Sequence, residues 1–351
     1  MTDELYMQRC LEIAEMGIGN VSPNPMVGCV IVHEDTIIAE GYHRKFGEAH
    51  AEVNAVNAAF ADYPEEAATL LRNSTVYVNL EPCAHFGKTP PCADLLVMIG
   101  VKKVVIGNTD PFSDVDGKGI EKLKAAGIQV IHGILEDKCT ELNRRFFTRV
   151  IEQRPYIILK WAETANRYFA PKNVLQEWIS GPLAKKLVHK WRTEEDAILI
   201  GKQTAICDNP QLTAREWEGK NPIRIVIDKN LQVPAGYNVF NNVSKTIVFN
   251  EAKTVIDQNI HNIQMEDMQY YLPQKIAYQL YLMDIHSVII EGGANLLSQF
   301  IAAGLWDEAR VFRSATSWDE GIQAPDIQGI ITDQVNVGMD HLSVYKNSKQ
   351  L

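Results

Sequence analysis

Apolar and polar residues alternate along the first 150 positions in two periods that take turns. Leu5, Leu11, Ile13 and Met16 fall at helical spacing within residues 3 to 17, and the Gly-, Asn- and Pro-rich stretch from Gly17 to Pro25 reads as a loop. VGCVIVH and TIIAEGYH then predict a hairpin that turns at Glu34 and Asp35. After it come a helix from about 49 to 61, the strand STVYVNL and a helix opening behind Pro90 and Pro91. The strand KKVVIGN, a helix from about 119 to 126, the strand IQVIHG and a helix from about 136 to 152 complete the pattern. A hairpin followed by strand–helix alternation predicts a mixed sheet with helices on both faces.

RPYIILKWA, from Arg154, starts the pattern again, and Pro155 makes a boundary near residue 152. Two domains are expected, 1–152 and 153–351, because 351 residues exceed the usual size of one core. The second half predicts a helix at 181–193, strands AILIG, IRIVID, TIVF and SVIIE, and an amphipathic helix NLLSQFIAAG, so it too is α/β. G-x-G-x-x-G is absent; GKG at 117–119 lacks the third glycine and a preceding strand, which argues against the usual dinucleotide fold.

With 46% apolar and 22% charged residues the composition is that of a soluble globular protein. A net charge of −10 argues against a nucleic-acid footprint, which needs clustered Lys and Arg. No apolar stretch reaches the roughly eighteen residues of a membrane span, and the acidic amphipathic N-terminus is unlike a signal peptide, so a cytoplasmic location is expected. Six cysteines are too few for a disulfide scaffold. Cys10, Cys29, Cys139 and Cys207 sit singly and read as packing residues, whereas Cys83 and Cys92 bracket the loop that leaves the third strand.

That loop, with GEAHAEV upstream, makes a constellation. His50, Cys83 and Cys92 supply one imidazole and two thiolates, the ligand count of a catalytic zinc with one position open to water. Glu52, two residues from a ligand, suits a general acid/base. The pattern resembles the zinc-dependent nucleoside and nucleobase deaminases, with HAE at 50–52 and PC at 82–83; eight residues, not two, separate the cysteines. A purely structural zinc is the rival reading. Because residues i and i+2 lie about 200° apart on an ideal helix, His50 and Glu52 converge only in a first turn that faces the site.

PCAHFGKTPPC, with SPNPMVGCVIV before it and NTDPF and GKGIEKLKAAGIQVIHG after it, resembles the bifunctional riboflavin-biosynthesis deaminase/reductase of bacteria over nearly the whole chain. The resemblance implies an N-terminal cytidine-deaminase-like three-layer αβα domain and a C-terminal dihydrofolate-reductase-like α/β domain. It implies a phosphoribosyl diaminopyrimidinone substrate, Zn2+ and NADPH, with no nucleic-acid or membrane partner, and a homo-oligomer is expected. Asn24 would bind the base, Asp110 would define the pocket, and His85, Lys88 and Thr89, with His43, would meet the phosphate. In the second half the resemblance implies Lys160 as the catalytic cation, and Arg192, Leu212, Arg215 and Glu291 at the substrate. It implies Ala162, Trp178, Thr204, Asp208, Lys229 and Gly293 at the cofactor, with Lys229 on the ribose phosphate of NADPH, a position that calls for a cation and no competing carboxylate.

Two segments depart from the family pattern. Thr164, Ala165, Asn166 and Arg167 stand where the family reads S-L-D-G, and RSATSWDEG follows WDEARVF where a Pro- and Gly-containing segment is usual. Both border the expected cofactor cleft, which keeps open a deaminase fused to a catalytically impaired nucleotide-binding domain. A deaminase of nucleic-acid bases is the other alternative, opposed by the acidic charge.

Overall fold

Residues 2–86, 90–112, 115–172 and 179–348 are described in the computed structural model, and the chain divides into two units, Met1–Gln153 and Arg154–Leu351. The first unit runs α1 (Asp3–Ala14), β1 (Gly28–His33), β2 (Thr36–Tyr42), α2 (Ala51–Asp62), α3 (Ala67–Arg72), β3 (Thr75–Leu80), α4 (Cys92–Ile99), β4 (Lys103–Asn108), α5 (Lys118–Ala125), β5 (Gln129–His132), α6 (Glu136–Leu142) and α7 (Arg144–Glu152). Among the described residues its strands form one five-stranded sheet in the order β2-β1-β3-β4-β5. β1 is antiparallel to β2 and β3, while β3, β4 and β5 are parallel.

Period-two alternation sends apolar side chains to both faces of this sheet. Val30, Val32, Tyr77 and Val105 pack against Tyr6, Met7, Cys10 and Leu11 of α1. Ile31, Val76, Val78 and Val104 pack on the other face against Ala51 and Ala55 of α2, Leu71, Leu96 and Leu123. A strand covered on both faces reads as a continuous apolar run, which is why these strands were visible in the sequence. Three layers result, αβα.

The hairpin turns where expected, with Glu34 and Asp35 both at positive φ (46° and 59°), the backbone of a tight two-residue connection. The predicted helix at 136–152 divides into α6 and α7 at Asn143. That side chain is diverted to Met26, accepting its amide at 2.7 Å and donating to its carbonyl at 2.9 Å. Cys10, Cys29 and Cys139 are buried packing residues, and Cys207 is half-buried.

The second unit runs β6 (Tyr156–Glu163), β7 (Tyr168–Ala170), α8 (Pro182–Glu194), β8 (Ala197–Gly201), α9 (Lys202–Asp208), β9 (Ile223–Ile227), β10 (Thr246–Asn250), β11 (Val255–Asp257), β12 (Ile260–Gln264), α10 (Leu272–Leu282), β13 (Ser287–Ile290), α11 (Ala294–Ala302), β14 (Glu308–Arg313), β15 (Ile322–Gln323), β16 (Ile330–Val337) and β17 (Asp340–Lys346). Among the described residues its main sheet has ten strands, ordered β11-β12-β10-β9-β8-β13-β6-β14-β17-β16. The stretch from β12 to β14 is parallel throughout. Leu159, Leu199, Ile225, Phe249 and Ile290 pack with Ile276, Leu280 and Phe300 on one face. On the other face Ile158 meets Ala184, Val188 and Trp191 of α8. No helix among the described residues is long and apolar enough to cross a membrane.

The two segments that depart from the family pattern meet each other. Ala165 donates its amide to the Thr316 carbonyl at 2.8 Å. Asn166 Nδ2 donates to the Trp318 carbonyl at 2.6 Å, and the Trp318 amide returns a bond to Asn166 Oδ1 at 3.2 Å. Arg167 completes the turn at φ 65°, a conformation glycine adopts more readily.

Asp307 pins three strands at one end of the second unit. Its carboxylate takes both Arg154 Nη groups at 2.7 Å and the Ile157 amide at 2.6 Å, ahead of β14 and at the start of β6. The Asn347 amide, just after β17, donates to its carbonyl at 3.1 Å. Both charged side chains are buried. Breaking such a pair from one side costs about 3–5 kcal/mol. Asp307→Ala is therefore expected to lower the urea midpoint of this unit by that much stability, measured by fluorescence-monitored unfolding, and an unaltered midpoint refutes the assignment.

Candidate functional site

In the first unit β1 runs against β3, and β3 runs with β4, so the entry to β1 and the exits of β3 and β4 share one edge. His50 arrives at that edge as the residue capping α2, with an extended backbone (φ −71°, ψ 166°). Glu52 is the second residue of α2, in its first turn. The 200° separation of an ideal helix therefore does not apply between them, and both face the edge. Cys83 leaves β3, and Cys92 opens α4 behind Pro91. The first two amides of α4 turn back on Cys83: Cys92 N–H donates to its Sγ at 3.3 Å and Ala93 N–H to its carbonyl at 3.1 Å. This folding back lets cysteines nine apart meet.

His50 Nδ1 lies 3.6 Å from Cys83 Sγ and 3.4 Å from Cys92 Sγ, and the three donor atoms lie within 4.8 Å of one another. A tetrahedral zinc with ordinary Zn–S and Zn–N bonds separates such donors by roughly 3.6 Å. The donor set and its spacing thus fit that ion. The Cys92 thiol, then His50 and the Cys92 amide, hold the Cys83 thiol down at about 4. Glu52 is buried, and desolvation pushes its carboxyl up, with the Cys83 charge adding to the effect.

Around the three donors the edge is lined by polar side chains held in place. Asn24 Nδ2 lies 3.1 Å from His43 Nε2, and His43 Nδ1 lies 3.0 Å from the Ala49 carbonyl. These partners assign the proton to Nδ1 and leave Nε2 to accept from Asn24. Burial lowers the His43 pKa, and the ring holds the Asn24 amide in place. Asp110 follows β4, accepts the Phe112 amide at 2.9 Å, and is pushed up to about 6, by burial first and by Glu81 as well. His85 is exposed, its ring tilted against Phe112 at 6.3 Å between centroids. Lys88 and Thr89 lie outside the described residues.

Sequence reasoning missed the groups that hold this edge together. Glu81 is buried and accepts the amides of Asp110 (3.3 Å), Gly117 (3.0 Å) and Ile120 (3.1 Å). Asn79 takes the Gly28 amide at 2.8 Å and donates to the Met26 carbonyl at 3.0 Å. A Cβ on Gly119 would lie 2.1 Å from the Pro82 carbonyl, so only glycine lets α5 approach the loop that carries Cys83. A polar residue inside an apolar strand, as in VNLE, was the available signal.

In the second unit β13 inserts between β6 and β8, and a cavity of about 480 Å³ opens where these three parallel strands end. Ligand sites in open α/β sheets lie at such carboxyl ends. Lys160, Ala162, Arg192, Thr204, Asp208, Leu212, Arg215 and Glu291 all line it. Glu291 Oε2 lies 2.9 Å from Arg192 Nη2 and 3.8 Å from Lys160 Nζ. Arg192 and Lys160 keep Glu291 below the usual carboxylate range against the opposing effect of burial. Burial pulls Lys160 down from the usual lysine range. Burial also raises Asp208. Gly293 caps α11, and a Cβ there would meet Thr204 Oγ1 at 3.9 Å.

Two cofactor expectations fare differently. Trp178 lies outside the described residues. Lys229 stands away from the cavity lining and is paired with Glu251 at 3.1 Å, so the carboxylate that the reading required to be absent is present. Glu251 is itself fixed by the Met268 amide at 2.7 Å. The cavity also holds His189, which the sequence reading passed over. Among the described residues its Nδ1 is buried with no hydrogen-bond partner, and Glu291 Oε1 and Arg192 Nε share that condition.

Residues 1–108 match the family model for the cytidine and deoxycytidylate deaminase zinc-binding region, and residues 155–315 match that for the RibD C-terminal domain. Riboflavin biosynthesis protein RibD of Aquifex aeolicus is 36% identical over 329 residues, covering 93% of this chain and 90% of the relative. Its Escherichia coli counterpart is 35% identical over 332 residues, covering 89% and 87%. Among solved structures, a diaminohydroxyphosphoribosylaminopyrimidine deaminase/5-amino-6-(5-phosphoribosylamino)uracil reductase from Thermotoga maritima superposes with a TM-score of 0.89 at 34% identity, covering 98% of both chains. Acinetobacter baumannii RibD gives 0.88 at 31% identity, covering 99% of both. With two family models matched in succession, and relatives above 30% identity along nearly the whole chain, this protein belongs to the RibD family of riboflavin-biosynthesis proteins, a deaminase unit followed by a reductase unit.

Proposed function

We propose that the first unit hydrolytically deaminates 2,5-diamino-6-(5-phosphoribosylamino)pyrimidin-4-one, and that the second reduces the ribosyl side chain of the product to ribityl with NADPH, in the cytoplasm and on a free small molecule. The observation that carries the first half is the set of His50, Cys83 and Cys92 donors at zinc-compatible spacing beside a buried Glu52. Zinc, when bound, lowers the pKa of a water it holds from 15.7 to about 7. His50, Cys83 and Cys92 would hold the ion. Glu52 takes a proton on its carboxylate and delivers it to the departing amine, a role its raised pKa favours. Asn24, its amide fixed by His43, orients the pyrimidine ring, and Asp110 closes the pocket from the β4 side.

The second half is supported by Lys160, Arg192, Glu291, Thr204 and Asp208 around one cavity, with Gly293 beside Thr204 at the start of α11. NADPH supplies the hydride. Arg192 and Glu291 position the ring-opened imine, and the Lys160 ammonium holds the proton that its nitrogen needs when the carbon is reduced. Arg215 receives the phosphoryl group. The turn formed by Thr164–Arg167 keeps its hydrogen bonds to residues 316 and 318, which favours an active reductase over an impaired nucleotide-binding domain.

Purified protein is expected to hold close to one zinc per chain, and Cys83→Ser or Cys92→Ser to lose both metal and deamination. Glu52→Gln should keep the metal, read by mass spectrometry of the native protein, and lose turnover. Full deamination by metal-free protein, or loss of zinc in Glu52→Gln, contradicts this assignment.

Lys160 acts while protonated, so reduction should fall as pH rises through a pKa below the ordinary lysine range. Lys160→Ala is expected to cost on the order of a hundredfold in kcat, the usual scale of a positioned acid, and to remove that alkaline limb. A profile with the limb intact excludes Lys160 as its source.

Reduction should also prefer NADPH over NADH by roughly ten- to a hundredfold in KM, the worth of one charge-assisted phosphate contact. Titration of both cofactors against the deaminated substrate checks this, and equal values would reject NADPH specificity.

A further inference from the structure

The cations lining the reductase cavity differ in how they are balanced. Lys160 and Arg192 share Glu291. Arg215 has no carboxylate within 4 Å among the described residues, which suits it to an incoming anion. Lys185, also on the cavity wall, is held by Glu216 at 2.6 Å. Glu216 does not line the cavity. It lies in the irregular stretch between α9 and β9, directly after Arg215, and its side chain keeps 37% of its surface exposed.

The same Glu216 oxygen lies 3.9 Å from Nε2 of the buried His189. Burial, then Arg192 and Arg215, hold His189 down at about 4, so at neutral pH the ring adds no charge to this corner. Lys185, His189 and Arg215 all act on the Glu216 carboxylate. Lys185 and His189 thus face one carboxylate oxygen, and the Arg215 charge acts on it from beyond 4 Å.

On the reading that the reductase substrate carries a phosphoryl group, we infer that Glu216 is an exchangeable counter-ion: it holds Lys185 in the free enzyme, and the phosphoryl group entering at Arg215 takes Lys185 from it. No bond is made or broken; one ion pair replaces another. A dianion meeting both a lysine and an arginine outcompetes a single exposed carboxylate, whose hold on lysine is weak in water. The exchange makes Glu216 a specificity residue, because it lowers affinity for every ligand that recruits Lys185 and leaves ligands without an anion untouched.

The test is steady-state NADPH oxidation by the full chain, with the phosphorylated substrate and its dephosphorylated counterpart. Glu216→Gln should improve discrimination for the phosphorylated form by about two- to fivefold in KM, the scale of an exposed ion pair. In a Lys185→Ala background the same substitution should have no such effect. Calorimetry with ribose 5-phosphate as the probe should reproduce both results as changes in Kd. Unchanged or weakened discrimination in Glu216→Gln overturns the inference. So does an improvement that persists without Lys185, since a general field effect needs no exchange. If the wild type fails to oxidise NADPH with the phosphorylated substrate, or Arg215→Ala leaves its KM unaltered, the reductase reading itself has failed. A normal wild type with a sensitive Arg215 and an inert Glu216 rejects the exchange alone.

Discussion

The central strands of both main sheets are buried on both faces, and that constraint decides where chemistry can sit. A strand with Ile31 facing one helical layer and Val30 facing the other has no side chain left for solvent or ligand. Polar groups must therefore gather at strand ends, where backbone amides and carbonyls also need partners. In the first unit this edge collects Asn24, His50, Cys83 and Asp110; in the second it collects Lys160, Thr204 and Glu291. Parallel neighbours make the collection possible because they deliver successive loops to the same side.

Once polar groups are gathered there, they have to be held. Glu81 takes three amides from residues 110, 117 and 120 and so ties the exit of β4 and the start of α5 to the exit of β3. Asn79 and Asn143 grip Met26 from two sides, fixing the loop that ends in Asn24. Buried polar groups that are fully satisfied stiffen a site. The cavity of the second unit is different: Glu291, Arg192 and His189 each keep a buried atom without a partner among the described residues. Those atoms lie where a ligand would arrive.

Much of this was legible in the sequence, for identifiable reasons. Strands such as VGCVIV and KKVVIGN announced themselves because both faces are apolar. The zinc donors were legible because histidine and cysteine at strand and helix ends have few other uses. The edge strand β16 gave no signal, because its residues are almost all exposed. α3, a six-residue helix, was too short for its period to register. The carboxylate beside Lys229 could not be read from the sequence, because it belongs to Glu251, in a loop reached only after β10 is in place beside β9. The roles of Glu81 and Glu216 were not legible for the same reason: their partners are backbone or side-chain groups that only the fold assembles.

The contact between residues 164–167 and 314–322 bears on how this chain can be recombined with its relatives. Each segment alone looks like a defect in a family pattern, yet Ala165 and Asn166 close on Thr316 and Trp318 through three hydrogen bonds. They are about 150 positions apart in the chain and form one seam. A chimera that drew one side of that seam from a relative and the other from this protein would join two surfaces shaped for different partners. Crossover points are better set so that both sides travel together, and the pair is inherited as one unit or not at all.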